Sequence, residues 1–161
     1  MKNIYVILIL LILSLSGNAQ KVENLQIELS KAKDEKSKAL IYLDLAEELR
    51  NKNPELSLEY SSKALIIGQK ESQSTLIIDA KLELAYHYLY FKDSAQLAYQ
   101  YNHQGLFYYT KKRNQDKISK VYTRLGNYYI ELSDIDSAYY YFDKNYAITS
   151  NGNDSLGIVT S

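Results

Sequence analysis

Cysteine and tryptophan are absent from the chain, and proline occurs once and glycine only six times. Without cysteine there is no disulfide framework, no thiolate zinc site, no thiol nucleophile and no N-terminal cysteine to carry a lipid. Net charge is lacking as well, because 19 basic residues balance 19 acidic ones. No overall field exists to hold a polyanion or an anionic membrane surface, so nucleic acid is not expected as a partner. Histidine is limited to His87 and His103, which fall on different expected helices and lack a His-Glu-x-x-His spacing. A surface or groove position is expected for both. There is no Gly-rich phosphate loop and no Gly-x-Ser-x-Gly elbow. Asp134 and Asp136 fall where a helix begins, so they read as caps and not as a metal pair. No catalytic residue, cofactor site or metal site is expected; a hydrolase would lack its residues, and the chain reads as a non-enzyme.

What is present is an ordinary globular composition, 46% hydrophobic and 24% charged, too apolar for intrinsic disorder. The first residues differ from the rest. Met1 and Lys2 give a short basic start, Ile4 to Leu15 is mostly aliphatic, and Ser16-Gly17-Asn18-Ala19 closes the run with small residues. This is the layout of a secretory signal peptide over 1–19, with cleavage before Gln20. As a helix the run would reach about 18 Å, short of the roughly 30 Å hydrocarbon core. An uncleaved anchor is the alternative. No later segment is apolar enough to span a membrane, and the expected location is the periplasm, the cell surface or the medium of a bacterium.

From Leu25 to Ile148 apolar residues recur three and four apart, which is the period of an amphipathic helix. Breaks carry helix-start signals at Asp34-Glu35, Asn53-Pro54-Glu55, Asp93-Ser94, Asn114-Gln115-Asp116 and Ser133-Asp134. Pro54 sits where its missing N–H costs nothing. Helices are therefore expected near 21–32, 35–51, 54–71, 73–91, 94–112, 115–132 and 134–149. A turn follows at Asn151-Gly152-Asn153-Asp154.

The helices repeat in pairs. Tyr122-Thr123-Arg124-Leu125-Gly126-Asn127-Tyr128-Tyr129 opens one helix and Ala138-Tyr139-Tyr140-Tyr141-Phe142 the next. Equivalent stretches are Tyr42-Leu43-Asp44-Leu45-Ala46 with Leu49, and Leu84-Ala85 with Tyr88. Small residues fall at Ala46, Ala85 and Gly126, spaced 39 and 41. The second helices supply Ser57 and Ala64, Ala98 and Gly105, then Ala138 and Asn145, the one position that is not small. Antiparallel helices approach closely only where one side lacks bulk. The pattern resembles the tetratricopeptide repeat (TPR) signature W-x2-L-G-x2-Y followed by A-x3-F, with Tyr122 in place of tryptophan. The long period resembles the extended variants in exported sensor regions of bacterial signalling proteins. The motif's final proline is absent from all three repeats.

The resemblance implies an all-α fold, a right-handed α-solenoid of antiparallel helix pairs: an N-terminal helix (20–34), repeats at 35–72, 73–113 and 114–153, and the start of a further helix at 154–161. That short tail reads either as the remnant of a cap or as a sign that the reading frame belongs to a longer protein, and the second is preferred. The resemblance also implies that the first helix of each pair lines a concave binding face. Here that face is Glu47, Arg50 and Asn51, then Tyr86, Leu89 and Tyr90, then Thr123, Asn127, Ile130 and Glu131. No Lys/Arg cluster stands there to clamp a terminal carboxylate. Tyrosine is abundant, 17 residues against three phenylalanines; most are expected to pack, with a minority forming an adaptable recognition surface. The function this implies is binding of a protein or peptide, as the sensor or scaffold part of a signalling protein. A complete secreted adaptor and a glycan-binding surface are the alternatives.

Overall fold

The computed structural model describes residues 20–91 and 94–154, with side chains through residue 150. Among the described residues every regular element is a helix: α1 over 20–31, α2 Glu35–Leu49, α3 Pro54–Lys70, α4 Ser74–Tyr90, α5 Ala95–Lys112, α6 Gln115–Glu131 and α7 Ile135–Asp154. Neighbours in sequence pack on one another, α2 on α3, α5 on α6 and α6 on α7. No described helix is long and apolar enough to cross a membrane. The expected signal peptide at 1–19 lies outside the described residues, as does the expected further helix beyond Asp154.

Four helix starts are built by the side chains expected to cap them. Asp34, Asn53, Asn114 and Asp134 accept from the backbone N–H of Ser37, Leu56, Lys117 and Ser137 at 2.9, 3.1, 3.0 and 3.1 Å. The Ser137 hydroxyl also bonds to Asp134 and, with the amide, holds that carboxyl below the usual carboxylate range. Ser94 is the N-cap of α5, but its side chain makes no cap hydrogen bond. Helix ends were less legible. α3, α5 and α6 close on left-handed residues that are not glycine, Ser72, Arg113 and Ser133, with φ of 51, 53 and 59°. The following amides reach back to Gly68, Tyr109 and Tyr129 carbonyls at 2.9, 3.1 and 2.9 Å, the six-to-one bond of a Schellman end. The turn expected at 151–154 is instead the last turn of α7. Asn and Gly are tolerated at a helix C-terminus, and Thr149 and Ser150 hydroxyls already bond back to Asn145 and Tyr146 carbonyls there.

The chain divides into two compact units between Ile77 and Ile78, within α4. In the first unit, Leu25, Ala39, Leu45, Ala46, Leu49, Ala64, Ile67 and Leu76 are buried. Ser57 stands on the α2–α3 contact fully buried, and its hydroxyl donates to the Ala46 carbonyl at 2.6 Å. A hydroxyl is thereby accommodated where alanine would fit. Tyr42 and Tyr60 stack at 5.4 Å between centroids.

In the second unit the core is Leu82, Tyr109, Ile118, Val121 and Leu125, beside a smaller cluster of Ala85, Ala98 and Tyr128. Glycine here allows close approach within helices. A Cβ on Gly105 would stand 2.6 Å from Leu82, and one on Gly126 would stand 2.5 Å from the Phe142 ring. All eight small positions read from the sequence, Ala46, Ser57, Ala64, Ala85, Ala98, Gly105, Gly126 and Ala138, are buried. Asn145, the exception, is half-buried between α6 and α7. It accepts from the Ser119 hydroxyl and donates to the Thr123 hydroxyl.

His87 takes neither the surface nor the groove position expected of it. It is 1% exposed, beside the rings of Tyr86 and Phe91. The physical reason is that His87 lies one turn after Glu83 and Leu84, both buried, on the side of α4 that faces protein. His103 is half-buried against Tyr99, at 4.2 Å between rings, and burial holds its imidazole below the usual range.

Candidate functional site

A shallow cleft, open to solvent, lies in the second unit. Its wall on α4 is Ala85, Tyr86, Leu89 and Tyr90; α5 contributes Asn102, and α6 contributes Arg124 and Asn127. Tyr86 and Tyr90 stand one turn apart and meet at 4.6 Å between centroids with planes tilted by 48°. Tyr86 is half-buried while Tyr90 is 37% exposed. These rings therefore border the cleft and do not fill the core. Burial, with Glu131 and Tyr86 nearby, raises the Tyr90 hydroxyl above the usual phenol range.

Arg124 reaches from α6 to α4, donating to the Leu82 carbonyl and to the Glu83 carboxylate. Glu83 is 8% exposed, so this ion pair sits largely out of water. Both terminal nitrogens of the guanidinium are thereby committed within the protein. The cleft therefore presents little net charge. A parallel arrangement lies lower on α4, where Asp79 accepts from Tyr109 and from Lys117 Nζ, the latter at 2.9 Å. Desolvation and that bond to Asp79 push the Tyr109 hydroxyl far up.

Four of the expected binding-face residues, Tyr86, Leu89, Tyr90 and Asn127, are brought together. The other six are not part of this cleft. Thr123 faces α7, its hydroxyl accepting from Asn145 and donating back to the Ser119 carbonyl of its own helix; on α6 the cleft side runs through 124 and 127, three apart, and not through 123 and 127. Ile130 and Glu131 are exposed beyond it. Glu47, Arg50 and Asn51 belong to the first unit. There Glu47 pairs with half-buried Arg50 at 3.5 Å, and Asn51 lies exposed in the turn after α2. Sequence reasoning missed Arg124 and Asn102. Asn102 had a signal: it lies four residues after Ala98 and three before Gly105, so a carboxamide interrupts a stripe that must be buried.

Among the described residues no group of three or more His, Cys, Asp or Glu is placed to hold a metal ion. No family model matches the chain, and no curated protein or solved structure matches it either.

Proposed function

We propose that the chain is an exported interaction module, a tetratricopeptide-type solenoid of helix pairs that binds a protein or peptide and performs no catalysis. The observation that carries this reading is the cleft, where an aromatic pair and a leucine on α4 and one amide each from α5 and α6 surround a solvent-open space. Rigid tyrosines supply contact area at small entropic cost. The packing of consecutive helices and the burial of the small-residue series support the repeat architecture. Export rests on the basic start, the aliphatic run and the small residues ahead of Gln20. A sensor or scaffold part of a bacterial signalling protein is the role this combination fits best.

The test is a titration of a partner recovered from periplasmic extract against Tyr86→Ala combined with Asn127→Ala, alongside thermal melts of the same variant. A binding-face pair weakens affinity by about 2 kcal/mol with the melt preserved. Unchanged affinity with a lowered melting temperature overturns the assignment. Export is checked by intact mass after expression in a Gram-negative host, where a chain beginning at Gln20 is expected in the periplasm and one retaining Met1 in the membrane pellet refutes it.

A further inference from the structure

We infer that the turn joining α5 to α6 is a membrane-docking edge, which lays its cations on the head groups of an anionic phospholipid bilayer and turns the Phe107 ring into the acyl boundary. The inference goes beyond the binding reading above, and none of the cleft residues takes part in it. Lys111, Lys112, Arg113, Lys117 and Lys120 stand against a single acid, Asp116, in this stretch. Residues 110–116 are exposed in unbroken succession. Lys117 is committed to Asp79, whereas the other four cations have no ion pair among the described residues. At the far end of α6, about 25 Å away for its 17 residues, Glu131, Asp134 and Asp136 are exposed with no cation between them. Overall neutrality therefore hides a charge separation along this helix. An anionic surface attracts one end of it and repels the other.

Charge alone would suit any polyanion, and it is the aromatic side chains that favour lipid. Phe107 is 64% exposed. Of the three phenylalanines, Phe142 packs on Gly126 and Phe91 lies against the rings of Tyr86 and His87, so Phe107 alone touches no other ring among the described residues. Its neighbour is Lys111, one turn on, whose Nζ lies 4.3 Å from the ring centroid. Lys112 stands over Tyr108 in the same way at 5.8 Å, so two aromatic–lysine pairs lie side by side at the exposed end of α5. In water the ammonium group covers the ring. At a bilayer the pair divides along its length, the ring and the lysine stem sinking while the ammonium reaches back to phosphate. Lys111 occupies the ring face that a stacked base would need, which disfavours nucleic acid. A ring without a hydroxyl gains by entering hydrocarbon and gains nothing from a fully solvated polyanion.

The chain has no tryptophan, so Phe107→Trp in the full chain places a sole fluorophore at this edge, and its emission reports contact there whatever residues 1–19 do. Vesicles of phosphatidylglycerol and phosphatidylcholine in equal parts are expected to shift that emission to shorter wavelength, and brominated acyl chains to quench it; phosphatidylcholine alone does neither. Added salt weakens the response. In the same background Lys111→Gln, Lys112→Gln and Arg113→Gln together raise the lipid required about a hundredfold, at about fivefold per cation. Thermal melts of these exposed substitutions stay level. Lys144→Gln, which removes a lysine held over Tyr140 at 5.3 Å on α7, leaves the response unchanged, as does Tyr86→Ala in the cleft. The inference falls if mixed vesicles leave the emission unshifted, if phosphatidylcholine alone shifts it equally, or if the triple variant responds like its parent. It falls too if brominated chains fail to quench, the sign of a charge-only contact open to any polyanion. The cleft reading survives each of these results, because its own test is loss of binding at Tyr86 and Asn127.

Discussion

The two units differ in how far their inter-helix ion pairs are withdrawn from water. In the first, Lys38–Glu35, Arg50–Glu47 and Lys63–Glu59 join residues three or four apart, and Lys21–Glu48, at 2.6 Å, joins α1 to α2 with its lysine 60% exposed. Such exposed local pairs add little beyond helix propensity. In the second, Lys117–Asp79 and Arg124–Glu83 join α6 to α4 across about forty residues of sequence. These pairs sit partly or largely out of water, where geometry is demanding. The cleft is in the unit whose helices are cross-linked in this way, so its wall on α4 and its edge on α6 are kept at fixed spacing. Preorganisation of that kind lowers the cost of binding.

The sharpest way to break this comparison is to remove one cation from each unit. Arg124→Met strips buried Glu83 of its counter-charge and is expected to cost about 3 kcal/mol, whereas Lys63→Met should stay within about 1 kcal/mol. Urea unfolding of both variants measures the difference, and equal costs would erase the distinction. Next in size is the glycine contact. Gly126→Leu drives a side chain into the Phe142 ring and is expected to destabilise by about 1–3 kcal/mol. Gly68→Ala in the first unit meets Ile77 at 3.1 Å; the helix-propensity gain of about 1 kcal/mol offsets that crowding, so a near-neutral result is expected.

A third effect is alkaline. Burial, with Tyr129 and Tyr99 alongside, pushes the Tyr141 hydroxyl up to about 12, above its ordinary value of about 10 in the unfolded chain. The neutral phenol is favoured in the folded state, so its contribution is fully present below the unfolded value and is lost as pH rises towards the folded one. Melting temperature should fall between those limits, and Tyr141→Phe should fall less steeply. The smallest effect is shared by both units: Ser72→Gly, Arg113→Gly and Ser133→Gly relieve left-handed backbone and should each stabilise by about 0.5–1 kcal/mol. A gain confined to one unit would mean that the units differ in their turns as well as their charges.

Helix starts were legible because a capping side chain is a local event: Asp34, Asn53, Asn114 and Asp134 need only the next turn to act. Helix ends were not, since Ser72, Arg113 and Ser133 adopt a conformation that sequence statistics reserve for glycine, and the surrounding bonds impose it. The close-approach glycines could be found from spacing alone. Half of the cleft could be found the same way, because Tyr86, Leu89 and Tyr90 share one helix face. Its other half depends on the rotation of α6 about its axis, which is set by Arg124 reaching Glu83 and by Asn145 holding Thr123 on the far side. Both are contacts between distant segments, and no periodicity within α6 encodes them.

Asn145 broke the small-residue series, and its two bonds give the break a use. Phe142, packed against Gly126, already sets which turn of α7 meets α6, and Asn145 adds a polar check on the same alignment. The carboxamide of Asn145 fits Ser119 and Thr123 in one alignment only; displaced by a turn, it would bury its donor and acceptor against nothing. The residue acts as an index mark for where α7 stops along α6. Asn145→Ala would complete the repeat pattern in sequence while removing the mark, leaving the contact of Phe142 with Gly126 to hold the alignment alone.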